Sequence, residues 1–431
     1  MKLTLEKLLT DKFVRGTFIL TAATFFAALF SYLVHPLLTR RLTIPEYGDY
    51  QALISFLTIL VAVGGVVLTA FTKEFSLLSA SAPEEIKSLR RRAASRLFYL
   101  GVVLFALVFL FANFLGELFN LSQPMTIIIT ALGLICIFPL MVNRALLTGR
   151  QYFSSLAFSN VLDAFCRLFL AVVLVVFWPF GLVGAALALG LSSLLPFIIS
   201  LWQIKKTGLP QVARDFSGSF KSIWRYGFLV FWFMVLTQFF YNFDMLAVKS
   251  FFDPETAGLY GALLTIGRII FFIGAAVPLV MFPVIAGLKQ DESLRRYQVL
   301  GKSLVLMTAL AIPPAAFIAL FPQLSIKIVV GAKYLSIAPY LPTFTIVILL
   351  LTLLTVLAQY FLALAKRRSL IILTAAAIGE VVLLFLFHNN IWSVIYSLIF
   401  VFGIASLALL ISIWSGYSKV KRNLVGVEIK R

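Results

Sequence analysis

Residues 35–56 read HPLLTRRLTIPEYGDYQALISF, which is the end of one apolar run, a short polar turn and the start of the next run. A related stretch, FDMLAVKSFFDPETAGLYGALLTIGRI, occupies residues 243–269. Gly48 matches Gly258 and Tyr50 matches Tyr260, and both pairs have the same 210-residue offset. The two stretches also agree in hydropathy and in the position of the turn. We therefore predict that the chain repeats one design in two halves.

The composition of the whole chain is that of a membrane protein. Its 431 residues are 61% hydrophobic and 12% charged, with a mean hydropathy of +1.04. Soluble domains are about half apolar and about a quarter charged. The net charge of +19 would suggest a nucleic-acid partner in a soluble protein. Here the basic residues sit in alternate connections, which orientation in a membrane explains better, so we expect no nucleic-acid partner.

Twelve stretches are long enough for helices that cross a bilayer, which needs about 20 mostly apolar residues. They lack the alternating pattern of a membrane β-barrel, so we predict an all-α polytopic protein. Because each half has six helices, an even number, both halves are predicted to enter the membrane from the same side. The repeat is therefore predicted to be parallel. We predict a first lobe at 1–204, an amphipathic linker at 205–225, a second lobe at 226–414 and a basic tail at 415–431. The predicted spans are 17–38, 48–72, 94–115, 124–147, 153–178, 181–204, 226–249, 257–284, 301–322, 338–365, 369–388 and 391–414.

The distribution of lysine and arginine predicts the orientation. Most of these 36 residues fall in the two termini and in alternate connections between the predicted helices. The cytoplasmic side of a membrane protein carries this excess. We therefore expect a multi-pass protein of the inner or plasma membrane with both termini in the cytoplasm. The opposite face has only Arg40, Arg41, Lys249, Lys327 and Lys333.

Signatures of enzymes and metal sites are missing from the sequence. It contains no phosphate-binding glycine-rich loop with a lysine and no H-E-x-x-H motif, and its histidines are His35 and His388. Cys136 and Cys166 lie in apolar runs and suit small core positions. We expect a protein that is not an enzyme and uses neither a cofactor nor a metal.

The two turn motifs carry a family resemblance. LLTRRLTIPEYGDYQAL (37–53) and FDMLAVKSFFDPETAGLYGAL (243–263) resemble the first helix pair of each lobe in polysaccharide transporters, or oligosaccharide flippases. This family belongs to the multidrug/oligosaccharidyl-lipid/polysaccharide (MOP) superfamily. The resemblance implies two six-helix bundles, in the MATE-like fold, around a central cleft lined largely by helices 1, 2, 7 and 8. It also implies transport of a polyprenyl-pyrophosphate-linked glycan from the inner to the outer leaflet, for cell-surface polysaccharides such as O-antigen or capsule.

Charged residues inside predicted helices are the candidate functional groups, because burying a charge in the bilayer is costly. Asp163 and Arg167 are four residues apart in helix 5 and either neutralise each other or form a polar wall of the cleft. Glu380 in helix 11 has no cation in its own helix. It is either protonated or paired with an arginine, or it couples transport to a proton or a sodium ion. We expect Asp244 to pair locally with Lys249.

Basic residues are the candidate ligands for the substrate phosphate. Arg268 lies 11 residues into helix 8, about 16 Å along the axis, which is too deep for easy snorkelling. It either binds the diphosphate in the cleft or forms a salt bridge to Glu380 or Asp163. Arg40, Arg41 and Lys249 lie at the outer ends of helices 1 and 7. They either extend to lipid headgroups or receive the emerging phosphate.

Two other functions compete with the flippase. An ion-coupled drug or organic-cation antiporter of the same fold would want unpaired acids, whereas a pyrophosphate wants arginine. The midplane residues are balanced, with Asp163 and Glu380 against Arg167 and Arg268, so only the motif favours the flippase. A membrane glycan polymerase is disfavoured because every predicted outer loop is short.

Overall fold

The computed structural model describes residues 12–208, 214, 216, 220–288, 292–364 and 368–428. All the regular secondary structure of these residues is helical, and twelve segments within them are long and apolar enough to cross a membrane. The predicted all-α fold class with twelve spans is confirmed. The spans are α1 Ile19–Arg41, α2 Ile44–Ser81, α3 Pro83–Leu110, α4 Met125–Gly149, α5 Phe153–Phe177, α6 Gly181–Lys205, α7 Val230–Phe251, α8 Pro254–Gly287, α9 Ser293–Leu320, α10 Leu341–Ala363, α11 Arg368–Leu386 and α12 Ile391–Ser418.

The chain divides into two compact units, Met1–Met234 and Val235–Arg431. The division falls inside α7, and the predicted lobe bounds stay a prediction. The predicted linker at 205–225 is described only in part. Within it, the backbone N–H of Arg214 donates to the carbonyl of Glu84 at 3.1 Å, and the N–H of buried Phe216 donates to Ser88 Oγ at 3.4 Å. These bonds attach the linker to the start of α3.

The turn before α2 and the turn before α8 are built alike. The Thr43 hydroxyl accepts a bond from the Glu46 N–H at 3.4 Å, while the Glu46 carboxylate accepts from the Thr43 N–H at 2.8 Å. Asp253 caps α8 by accepting from the N–H groups of Glu255 and Thr256 at 3.1 and 3.0 Å. The pKa of the Asp253 carboxyl is lower than its ordinary value, mainly because of its hydrogen bonds with Thr256. The two caps have the same 210-residue offset as the glycines and tyrosines, so the repeat extends to the caps that begin these helices.

Each unit is organised around one deeply buried span. In the first unit, α2, α3 and α6 all pack on α4. In the second unit, α8, α9 and α12 pack on α10, which is the fourth span of its half just as α4 is of the first. Small residues bring backbones together in the first unit. A Cβ on Gly190 of α6 would lie 2.3 Å from the carbonyl oxygen of Ile129 in α4.

Prolines inside the spans have two different effects. The helices continue through Pro36 in α1 and Pro139 in α4. Near Pro196 and Pro278, however, the helical structure of α6 and α8 is interrupted. In α8 the interruption is at Ala275, three residues before Pro278. Proline removes one backbone N–H and crowds the carbonyl of the residue four positions earlier, which accounts for a break just upstream.

Candidate functional site

The second unit contains a buried polar cluster built from α7, α8 and α11. Asp244 of α7 is 5% exposed, and its Oδ2 accepts a hydrogen bond from the hydroxyl of fully buried Tyr260 in α8 at 2.8 Å. Its Oδ1 accepts from the backbone N–H of Met245 at 2.7 Å. Both bonds come from groups other than Lys249, the partner expected from the sequence. Five residues along a helix with 3.6 residues per turn place Lys249 about 140° around the axis from Asp244.

Arg268 joins this cluster from the same span as Tyr260. Its side chain is only 5% exposed, and its guanidinium carbon lies 4.6 Å from the centre of the Tyr241 ring of α7. This is a cation–π contact, which gains strength when both groups are removed from water. Arg268 also interacts electrostatically with Asp244. The predicted burial of this arginine is observed, and it lies beside an acid that the sequence did not assign to it.

Glu380 of α11 is fully buried and interacts electrostatically with Asp244. Neither of its carboxyl oxygens has a hydrogen-bond donor among the residues that the structure describes. Its predicted burial inside helix 11 is therefore observed, while an arginine partner is not found in that part of the chain. A charged carboxylate without a donor is costly to bury, so this position favours a protonated carboxyl or a bound cation.

The basic residues predicted at the outer helix ends differ in exposure. Arg40 and Arg41 are exposed, and Arg40 donates to the carbonyl of Pro36 at 2.7 Å. Lys249 has no exposed surface, which contradicts the alternative that it extends to lipid headgroups. Its position on α7, four residues after buried Met245, turns it into the protein interior.

Asp163 of α5 pairs with an arginine of a different span. Arg144 of α4 donates from Nη2 to the Asp163 carboxylate at 3.1 Å, and also to the carbonyl of Ser159 at 2.9 Å. Of the two alternatives for Asp163 and Arg167, mutual neutralisation is not observed, because Arg144 takes the place of Arg167. Arg144 lies five residues before the end of α4, where its side chain reaches the neighbouring helix α5.

The first unit has a buried polar cluster that sequence reasoning missed. His35 Nδ1 lies 3.1 Å from the hydroxyl of Tyr47, which also accepts a bond from Gln51 Nε2 at 2.8 Å. The ring of Tyr50 is 6.1 Å from His35. Tyr50 and Tyr260 are related by the repeat, and each packs on a polar residue of the preceding span. The 210-residue offset was the signal that could have linked these two clusters.

These arrangements supply two kinds of chemistry. A buried guanidinium offers a planar fork of donors to phosphate or carboxylate oxygens. A pair of buried acids can hold a proton or a monovalent cation. No group of three or more His, Cys, Asp or Glu side chains comes together in the described part of the chain.

Comparisons with known proteins agree with the fold. Solved structures similar to this chain include the lipid II flippase MurJ in an inward closed conformation (TM-score 0.73, 16% identity, covering 92% of this chain and 87% of that one). An inward-facing MATE multidrug transporter of the MOP superfamily has a TM-score of 0.74 and 14% identity, covering 90% and 95%. A MOP superfamily transporter from Pyrococcus furiosus has a TM-score of 0.63 and 16% identity, covering 94% of each chain.

Comparison of the sequence with known families identifies the family of this chain. A search of curated proteins gives no match. The family model described as "Polysaccharide biosynthesis protein" matches residues 13–289, which is more than half of the chain. This match includes both turn motifs and the helix caps within them, Thr43 and Asp253. The chain therefore belongs to the polysaccharide biosynthesis protein family and has the fold of MOP superfamily transporters.

Proposed function

We propose that this protein is a flippase that moves a polyprenyl-pyrophosphate-linked oligosaccharide from the inner to the outer leaflet of the cell membrane. The observation that carries the proposal is the match of residues 13–289 to a polysaccharide biosynthesis family, on a fold shared with membrane transporters. The polymers it would serve are cell-surface polysaccharides such as O-antigen or capsule. The mechanism that suits the fold is alternating access.

In this proposal Arg268 is the main ligand for the diphosphate. It is buried within a membrane span, where a charge has to be functional or paired. Its neighbours, Tyr241 and Asp244, hold the guanidinium in place from α7. The diphosphate would compete with Asp244 for the guanidinium. Such competition would link substrate binding to the binding of a proton or an ion by Asp244 and Glu380. Arg40, Arg41 and Lys249 remain proposed ligands for the emerging phosphate, and Arg167 a proposed polar residue of the transport path.

The acids provide the proposed coupling. Glu380 and Asp244 lie near enough to interact, and Glu380 has no donor among the described residues. We propose that a proton or a sodium ion compensates this charge and is exchanged during the transport cycle. The same acids favour a second candidate function, an ion-coupled antiporter of organic cations, because a cationic substrate would itself compensate them.

The experiment places purified protein in liposomes that contain the lipid-linked glycan in one leaflet. Appearance of the glycan in the other leaflet is measured by its accessibility to an impermeant glycosidase. We expect transport by the wild type and none by Arg268→Ala or Arg268→Lys, since lysine keeps the charge but loses the planar fork. Arg295→Ala is the matched control, because this arginine is exposed and paired with Glu292 at 2.9 Å.

A second arm tests the antiporter with the same liposomes. Uptake of a fluorescent organic cation against a proton or sodium gradient, without glycan transport, would replace the flippase by the antiporter. Full glycan transport by Arg268→Ala would remove Arg268 from the mechanism while leaving the flippase itself intact.

A further inference from the structure

A basic groove lies at the start of α3 in the first unit. It encloses about 500 Å³, and its described lining comes from one face of α3. Four of the lining residues are basic, and all four side chains are exposed: Lys87, Arg91, Arg92 and Arg96. Tyr99 is the lining residue that lies farthest along α3 toward the middle of the span. By the predicted orientation, this groove faces the cytoplasmic leaflet.

The same helix face continues into the membrane as an exposed apolar stripe. Tyr99, Val103, Leu107 and Leu110 follow one another at intervals of four, four and three residues, which keeps them on one side of a helix. Their exposed fractions are 64%, 53%, 45% and 74%. The basic groove therefore continues into an apolar surface that extends into the membrane, and the hydroxyl of Tyr99 lies where the two meet.

We propose that this face binds one anionic phospholipid of the inner leaflet, with its phosphate in the groove and an acyl chain along the stripe. Two guanidinium groups within a turn of each other suit a phosphodiester, because each offers a planar fork of donors. Tyrosine is favoured at headgroup depth, where its ring is in hydrocarbon and its hydroxyl in water. A free phosphate would use the groove alone, so the apolar stripe favours an amphiphile.

This site differs from the general excess of basic residues on the cytoplasmic side. Orientation requires only positive charge near the membrane and does not require a groove or an apolar continuation. The proposal is also independent of the transported substrate, because none of its residues belongs to the cluster around Arg268.

The test measures lipids retained by the purified full-length protein in native mass spectra after delipidation and addition of phosphatidylglycerol or phosphatidylcholine. We expect wild type to retain phosphatidylglycerol selectively. Lys87→Gln/Arg91→Gln should weaken this binding about 25-fold, since each basic residue near an anionic lipid contributes roughly a factor of five. Lys205→Gln/Lys302→Gln removes the same charge from exposed positions outside the groove and should change binding less than about two-fold.

Thermal unfolding of both double variants checks that each one folds. If either double variant fails to fold, the single variants Arg91→Gln and Lys302→Gln take the places of the groove variant and the control. Equal losses in the groove and control variants would overturn the proposal in favour of bulk charge. Equal retention of the two phospholipids would also overturn it. Displacement of the lipid by free glycerol phosphate would reassign the groove to soluble phosphates. Displacement by an equal amount of lipid-linked pyrophosphate would reassign it to substrate entry.

Discussion

At the scale of single residues, buried polar groups in the spans find partners on other helices. Asp163 of α5 meets Arg144 of α4, and Asp244 of α7 meets Tyr260 of α8. Bonds of this kind join helices to one another, whereas a pair within one helix would only neutralise charge. Removing one partner leaves an uncompensated group away from water, which is the costly outcome.

The pair between Arg144 and Asp163 gives a direct test. The Arg144 guanidinium donates three hydrogen bonds, to the Asp163 carboxylate, the Ser159 hydroxyl and the Ser159 carbonyl. We expect Arg144→Gln to lower the free energy of unfolding in detergent by about 2 kcal/mol, a reduced value for a pair that keeps some solvent contact. Arg167→Gln is the control and should cost less than about 1 kcal/mol. A larger loss in Arg167→Gln would restore the pairing expected from the sequence.

Glu380 gives a prediction on coupling. Because the residue is fully buried without a donor among the described residues, a neutral amide of the same size should fit its place. We expect Glu380→Gln to keep expression and thermal stability close to wild type while transport loses its dependence on a proton or sodium gradient. The measurement is transport in liposomes across a range of imposed gradients. Glu292→Gln, just before α9 and outside the buried cluster, controls for loss of a carboxylate. Unchanged gradient dependence in Glu380→Gln would contradict the proposal.

At the scale of helices, close packing and capping define where each element begins and how near it lies to its neighbours. The caps at Thr43 and Asp253 begin the second helix of each half. Glycines at Gly133 and Gly190 let α4 and α6 approach until their backbones touch. Small residues have this role in membranes because van der Waals contact, rather than the hydrophobic effect, holds helices together there.

Gly190 tests this contact between α4 and α6. Its added Cβ would meet the carbonyl oxygen of Ile129 at 2.3 Å, and backbone cannot rotate away as a side chain can. We expect Gly190→Ala to destabilise the protein by about 1–3 kcal/mol, as overpacking does. Gly403→Ala in α12 is the control, with nothing within 4 Å of its Cβ. It should be neutral or slightly stabilising because alanine favours helix. Similar melting temperatures for the two variants would show that α4 and α6 can separate without loss.

At the scale of the whole molecule, the repeat and the membrane act together. Each half buries its fourth span most centrally, α4 in one unit and α10 in the other, and each begins its second helix with the same kind of cap. With an even number of predicted spans in each half, we predict that both halves enter the membrane from the same side. The basic connections are then predicted to lie on the cytoplasmic face.

The orientation of the chain in the membrane can be measured with two single-cysteine substitutions, one toward each end of α3. Leu118→Cys lies beyond the outer end of α3 and Ser95→Cys near its predicted cytoplasmic end, and both side chains are exposed. We expect an impermeant thiol reagent to label Leu118→Cys in intact cells, and Ser95→Cys only after the cells are opened. The wild type, with Cys136 and Cys166, gives the background. The opposite pattern would reverse the topology.

The sequence by itself determined the features that the bilayer imposes locally. The approximate positions of α1 to α12, the polar turns before α2 and α8 and the burial of Arg268 and Glu380 could all be predicted. A span needs a continuous apolar run, and a turn interrupts it with polar residues. These signals lie close together along the chain, so no knowledge of neighbouring helices was required.

Only the tertiary structure decided which residues meet. Arg144 rather than Arg167 pairs with Asp163, Tyr260 rather than Lys249 holds Asp244, and Lys249 is buried rather than extended to headgroups. Each residue along a helix turns its side chain by about 100°, so the rotation and the packing of each span determine its partners. Hydropathy carries almost no record of that rotation when a span is apolar on every side.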